Sequence, residues 1–104
     1  MSYGLAESVI EVILGVFSHY PQIEQAVLYG SRAKGSYRQG SDIDLTLVGG
    51  SDLTSAVLTK VINELDDLLL PYAIDLSLLL NISDAHVLDH IQRFGVALYQ
   101  KERK

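Results

Sequence analysis

The chain has no cysteine and no tryptophan, only two prolines, and fewer basic than acidic residues. Without cysteine it cannot form a disulfide, a thiolate zinc site, an iron–sulfur cluster or a cysteine nucleophile, and a reducing cytoplasm is the expected compartment. Eight basic residues against 13 acidic ones give a formal charge of −5. Because the basic residues are scattered, apart from a tail of Lys101, Arg103 and Lys104, we expect no non-specific binding to nucleic acid.

Long hydrophobic runs are also lacking. No stretch is long and apolar enough to span a bilayer, and residues 1–7 lack the basic segment and apolar run of a secretion signal. The 104 residues, 48% hydrophobic and 20% charged, fit one compact core. We therefore expect a single cytoplasmic domain over residues 1–104, with no membrane partner.

The spacing of apolar residues predicts alternating helices and strands. Helical stripes run from Leu5 to Phe17, from Val57 to Leu69 and from Val87 to Phe94, and we expect all three to be core. Ser51 is the predicted cap of the second helix, and Ser83 or Asp84 that of the third. The predicted strands cover residues 25–29, 42–47, 73–79 and 96–99. This order indicates a small α/β (α+β) domain, a mixed sheet with helices packed on its apolar face.

A polar, glycine-punctuated segment, residues 30–40, follows the first predicted strand and reads as a loop, with room for a helical turn. Gly30 would let the backbone approach a phosphate, and the amide and hydroxyl of Ser31 could donate to its oxygens. Arg32 and Lys34 could add positive charge. The alternative is an ordinary turn, which Gly-Ser after a strand most often forms.

Three aspartates stand on predicted strands. Asp42 and Asp44 are two residues apart and so share one face, and Asp75 occupies the polar face of another strand. A carboxylate in the middle of a strand loses hydration, and without a basic neighbour this costs free energy. A hard divalent cation would remove that cost. Two magnesium ions held by such groups suit an in-line attack on phosphorus. The alternative is that Asp-x-Asp lies on a solvated edge and Asp75 faces water.

Three segments of the sequence resemble a known protein family. The segments LYGSRAKG (28–35) and GSDIDL (40–45), with Ile74-Asp75-Leu76 further on, resemble the minimal nucleotidyltransferases of the DNA polymerase beta superfamily. In size the chain is similar to the stand-alone members called MNT proteins, the MntA-type antitoxins encoded beside helical HEPN toxins. The resemblance covers nearly the whole chain and implies a polymerase beta-type fold.

The resemblance also implies residue roles. Asp42 and Asp44 would hold magnesium, and Asp75 would complete the metal site and help deprotonate the attacking hydroxyl. Gly30 and Ser31 would bind the nucleotide's terminal phosphates; Arg32 and Lys34 match the family without a definite contact. A nucleoside monophosphate, AMP from ATP, would pass to a hydroxyl of a partner protein, a tyrosine of the HEPN toxin. A hetero-oligomer with that partner is expected.

Two other readings compete with the enzyme. The chain could neutralise a HEPN partner by occlusion alone, without catalysis, or it could be a nucleotide-binding regulatory domain that has lost transfer chemistry. The intact Asp42, Asp44 and Asp75 weigh against the antitoxin that acts by occlusion alone. His86 and His90, four residues apart, have zinc-like spacing but no evident third ligand, so we expect solvated surface histidines. Tyr37, in the glycine-rich loop, is a candidate contact to a nucleotide base.

Overall fold

The computed structural model describes residues 2–102. Its elements, in chain order, are α1 (Glu7–Ser18), β1 (Ile23–Tyr29), α2 (Gly30–Lys34), β2 (Ile43–Gly49), α3 (Ser55–Asp67), β3 (Ile74–Leu78), a 3₁₀ turn (Leu79–Asn81), α4 (Ala85–Phe94) and β4 (Val96–Gln100). Each predicted helix and strand is present, and the predicted helical turn in the loop is α2. Arg103 and Lys104 of the basic tail lie outside the described residues.

Within residues 2–102 the strands form one four-stranded sheet in the order β3-β2-β1-β4. β1 pairs antiparallel with both β2 and β4, whereas β2 and β3 are parallel. The parallel pair is possible because the chain between its strands crosses over through α3, which contacts β3. The predicted mixed sheet and α+β class are confirmed.

The core lies between one face of the sheet and the helices α1 and α3. Ile13 and Phe17 of α1 and Val61 of α3 are fully buried against sheet residues such as Leu28 and Leu45. The ring of Phe17 also meets Tyr99 of β4 edge-on, with 5.8 Å between the ring centroids. These two helices follow the prediction of helices packed on the apolar face.

α4 is placed differently, which corrects the expectation that its stripe is core. The helix has no buried residue, and Leu88 and Phe94 are 37% and 39% exposed. It contacts α2 and β1. At its end, Gly95 lies against Val27, whose side chain belongs to the face of β1 opposite the buried Ala26 and Leu28. α4 therefore flanks the polar side of the sheet.

Two details of the other predicted helices were also wrong. α3 is capped by Thr54, whose hydroxyl accepts from the Val57 amide at 3.4 Å; Ser51 precedes a turn that buries Leu53 before the helix begins. Leu69 belongs to no buried stripe, because α3 ends before it and its backbone turns to a φ of 53°, leaving it 88% exposed. Asp84 is the cap of α4, as predicted.

The stripe predicted for the first helix also differs from the structure at two positions. Leu5 is fully buried but lies ahead of α1, and Val12 within α1 is 41% exposed. No helix among residues 2–102 is both long and apolar enough to cross a membrane.

Candidate active site

Two of the three predicted acidic residues stand side by side on adjacent strands. The register pairs Tyr29 with Asp44 and Asp44 with Asp75, so these three residues form one row across β1, β2 and β3. Directly paired residues project from the same face of a sheet. We call this face, which the buried leucines of β2 and β3 do not share, the carboxylate face.

Asp42 lies just before β2 and is held from both sides. The amide of Ile43 donates to the Ala73 carbonyl at 2.8 Å, and the Ser41 carbonyl accepts from the Arg32 guanidinium. Asp42 and Asp75 are exposed, whereas Asp44 is half-buried. The strand start that carries the first aspartate is thus fixed by its neighbours.

Gly30 closes the row at the end of β1, and it must be a glycine. Its φ is 77°, in the left-handed region that side chains disfavour. A Cβ at this position would overlap the carboxylate of Asp44. The metal-binding aspartate of the prediction therefore lies directly against the predicted phosphate-binding turn, and the two halves of the predicted site meet.

The electrostatics of the row are those of an uncompensated acidic cluster. Burial raises the pKa of Asp44 above its ordinary value, and the carboxylates of Asp75 and Asp42 raise it further, while His90 lowers it. Burial also raises the pKa of Tyr29, which the Ser77 side chain lowers and the two aspartates raise. In the described part of the chain, no lysine or arginine forms an ion pair with these aspartates.

The donor chemistry of the three aspartates fits magnesium, which prefers carboxylate oxygens. Besides burial, the charges of Asp75 and Asp42 raise the pKa of Asp44. A bound cation would relieve this repulsion between the carboxylates. As arranged, however, the side chains of residues 2–102 include no group of three or more histidine or acidic residues close enough to hold a metal ion. Bringing Asp42, Asp44 and Asp75 onto one ion would require side-chain rotation.

Arg32 has a structural role that the sequence did not indicate. It is only 3% exposed, and it donates to the carbonyl of Tyr3 at 2.9 Å and twice to that of Ser41, at 2.8 and 3.1 Å. Its guanidinium also lies over the rings of Tyr37 and Tyr72, at 5.4 and 5.2 Å. Arg32 therefore anchors the start of β2 to the segment before α1; its predicted role in nucleotide binding stays a prediction.

The other predicted nucleotide-binding residues follow Gly30 in the chain. Ser31 follows it in α2, with its carbonyl accepting from the amides of Gly35 and Ser36. Lys34 is exposed, with its Nζ 5.4 Å from the centre of the Phe94 ring. Tyr37 packs on Gly4 as well as on Arg32, and its predicted contact with a base stays a prediction.

His90 has a place in the site that the sequence did not indicate. It is half-buried, and its Nε2 accepts the amide of Gly30 at 2.8 Å. The available signal was its place on α4, one turn before Phe94 and beside the apolar stripe. The expectation of a solvated surface histidine was wrong for His90 and holds for His86, which is exposed.

The carboxylate face carries the exposed Asp75 beside the half-buried Asp44. A pocket does lie in the described region, at the opposite end of β1, lined by residues that include Pro21, Gln22, Gln100 and Lys101. None of the predicted site residues lines it. The chemistry of the aspartates, and not the depth of a cavity, identifies the candidate site.

Comparison with known proteins supports this assignment. Residues 11–104 match the family described as "Polymerase beta, Nucleotidyltransferase". No curated protein matches the chain at a significant level.

Solved structures share the fold. A toxin–antitoxin structure with AMP-PNP has a TM-score of 0.68 at 21% identity, over 94% of this chain and 76% of that one. The MNT antitoxin complex with the tri-AMPylated HEPN toxin of Shewanella oneidensis has 0.65 at 17%, over 91% and 72%. A MntA–HepT toxin–antitoxin structure has 0.67 at 16%, over 92% and 74%. Asp44 and Asp75 are paired on one sheet face with Gly30 against Asp44, and residues 11–104 match the family model, so the chain belongs to the polymerase beta family of nucleotidyltransferases.

Proposed function

We propose that this chain is a magnesium-dependent antitoxin that transfers AMP from ATP to a tyrosine hydroxyl of a cognate HEPN toxin. The observation that carries the proposal is the row of Asp44 and Asp75 with Gly30 against it, in a member of the nucleotidyltransferase family. We further propose that residues 1–104 act as one minimal domain in the cytoplasm, as the absence of cysteine favours.

In the proposed reaction the acceptor oxygen attacks the α-phosphorus of ATP. The bond from that phosphorus to the bridging oxygen breaks, pyrophosphate leaves, and Asp75 accepts the hydroxyl proton. Gly30 and Ser31 bind the terminal phosphates, with Lys34 adding charge from the exposed side of α2. Asp42, Asp44 and Asp75 would hold two magnesium ions, which supply neutralisation of the developing negative charge.

The structural relatives support the substrate and the partner. One was crystallised with AMP-PNP, an ATP analogue, and another with a HEPN toxin that carries three AMP groups. The formal charge of −5 disfavours nucleic acid as the acceptor. A protein acceptor in a hetero-oligomer agrees with these points.

The test is intact mass spectrometry of the HEPN protein proposed as the partner. It is incubated with this chain, magnesium and each nucleoside triphosphate in turn. An added AMP mass with ATP is the expected result, and tandem fragmentation would locate the modified side chain. The Asp42→Asn, Asp44→Asn variant should add no mass.

A charge-matched control removes two carboxylates from elsewhere. Asp66 and Asp67 are exposed at the end of α3, on the other side of the sheet, and the Asp66→Asn, Asp67→Asn variant should transfer AMP like the wild type. A tight complex without added mass would contradict the enzyme and favour the antitoxin that acts by occlusion.

A further inference from the structure

The Gly30 amide is the first backbone donor beyond the sheet at this end of β1. The strand's pairing with β2 ends at Tyr29, and its pairing with β4 ends at Leu28. A half-buried amide needs another acceptor. His90 supplies it through Nε2, at 2.8 Å.

The contact defines the state of the imidazole. A backbone N–H can only donate, so Nε2 of His90 must carry a lone pair, and the ring hydrogen of the neutral side chain lies on Nδ1. The ring is held by two aromatic neighbours. Its centroid is 6.4 Å from that of Tyr29, at a steep angle, and 5.2 Å from that of Phe94.

Gly30 transmits the position of His90 to the carboxylate row. The glycine touches His90 through its amide and Asp44 through its Cα, where even a methyl group would overlap the carboxylate. A glycine with φ of 77° has little resistance of its own to rotation about its backbone. The His90 hydrogen bond therefore holds the Tyr29–Gly30 peptide, which leads into the Gly30–Ser31 turn.

We infer that His90 is a positioning residue of the nucleotide site: by accepting the Gly30 amide it holds the Gly30–Ser31 turn in the geometry that binds the triphosphate. This inference rests on the proposed function. α4 thereby takes part in substrate binding, although it carries none of the residues predicted to bind the nucleotide or the metal. Its placement on the polar side of the sheet is what brings His90 to the turn.

Two substitutions separate the acceptor from the bulk of the ring. His90→Phe keeps an aromatic ring against Tyr29 and Phe94 but has no acceptor. His90→Gln has a side-chain oxygen able to reach the Nε2 position. His86→Phe, one turn earlier and exposed, is the matched control.

Binding of AMP-PNP with magnesium is measured by calorimetry below the unfolding temperature of each variant, and KM and kcat for ATP are measured with the HEPN partner. Loss of one hydrogen bond at the turn is expected to raise Kd and KM about tenfold in His90→Phe, with a smaller change in kcat. His90→Gln should recover most of the affinity, and His86→Phe should bind like the wild type.

A nuclear magnetic resonance measurement tests the contact without any activity. In the wild type, scalar coupling across the hydrogen bond should join the Gly30 amide nitrogen to Nε2 of His90. Absence of that coupling overturns the inference. Wild-type affinity for AMP-PNP in His90→Phe also overturns the inference. An equal loss of affinity in His90→Gln and His90→Phe overturns it as well, because it would assign His90 to packing alone.

Failure of the proposed function gives a different result. A wild-type protein that binds AMP-PNP but adds no mass to any partner contradicts AMP transfer and leaves the role of His90 in binding intact. A wild type that does not bind AMP-PNP overturns both. A wild type that transfers AMP, with a His90→Phe variant that binds AMP-PNP equally well, overturns only the inference about His90.

Discussion

Replacing Gly30 by alanine tests the contact between the glycine turn and the acidic row. Two costs follow from the structure. The backbone at φ of 77° becomes strained with any side chain, which costs about 1–2 kcal/mol. The new methyl also overlaps Asp44, and relieving that overlap moves the carboxylate by about 1 Å, enough to reduce a catalysed rate about 100-fold.

The two costs can be separated with Gly35→Ala. Gly35 ends α2 with φ of 91° and has nothing within 4 Å of where its Cβ would lie, so the variant carries the backbone strain without the overlap. Both alanine variants should lose about 1–2 kcal/mol, a fall in Tm of roughly 4–8 °C per kcal/mol for a domain of this size. Only Gly30→Ala should lose AMP transfer about 100-fold.

The assays are thermal unfolding by circular dichroism and single-turnover transfer to the HEPN partner. Equal transfer rates in Gly30→Ala and Gly35→Ala would refute the reasoning, because they would mean that the position of Asp44 against Gly30 does not matter. A much larger loss of stability in Gly30→Ala would also refute it. In that case the Asp44 side chain could not move away from the new methyl group, and packing of the fold would require the glycine.

The other predictions concern single side chains. Asp44→Asn should stabilise the metal-free protein by about 1 kcal/mol at neutral pH, measured by urea unfolding. Because the pKa of Asp44 is raised, wild-type stability falls as pH rises from the ordinary pKa through the raised one; a pH-independent difference between the two proteins would contradict this. Arg32→Lys should cost about 3 kcal/mol, since lysine cannot replace its bonds to two carbonyls; unchanged stability would exclude the anchoring role. Glu64 receives hydrogen bonds from His19 and Tyr20 that lower its pKa. Carbon-13 titration should therefore give a midpoint below 4.5, and Tyr20→Phe should raise it. This contribution to stability is present at neutral pH and is lost as pH falls through the lowered pKa.

Much of the site could be predicted because strand geometry is local. The alternation of Asp42 and Asp44 with apolar residues fixes which face each side chain occupies, whatever the partner strand. Asp75 could be assigned to a polar face for the same reason. Its register opposite Asp44, however, depends on the parallel pairing of β2 with β3, which no local pattern in either strand specifies.

What could not be predicted depends on tertiary placement. The stripe of α4 has the same spacing as a core stripe, but the helix flanks the polar side of the sheet and leaves Phe94 partly exposed. His90 gains its partner only from that placement. The sequence indicated only that Arg32 could add positive charge at the glycine turn. Its burial beside the rings of Tyr37 and Tyr72 follows from how the loop folds back.

The sheet order has a consequence for how the protein folds. β1 lies between β2, its neighbour in sequence, and β4, the last strand, and the hydrogen bond from Gly30 to His90 joins residues 60 positions apart. Closing that long loop costs more chain entropy than pairing β1 with β2. We therefore expect the glycine turn and Asp44 to come together early, and His90 to arrive only when α4 and β4 dock. The site would be assembled in two stages, and stopped-flow binding of a fluorescent ATP analogue during refolding should follow the second.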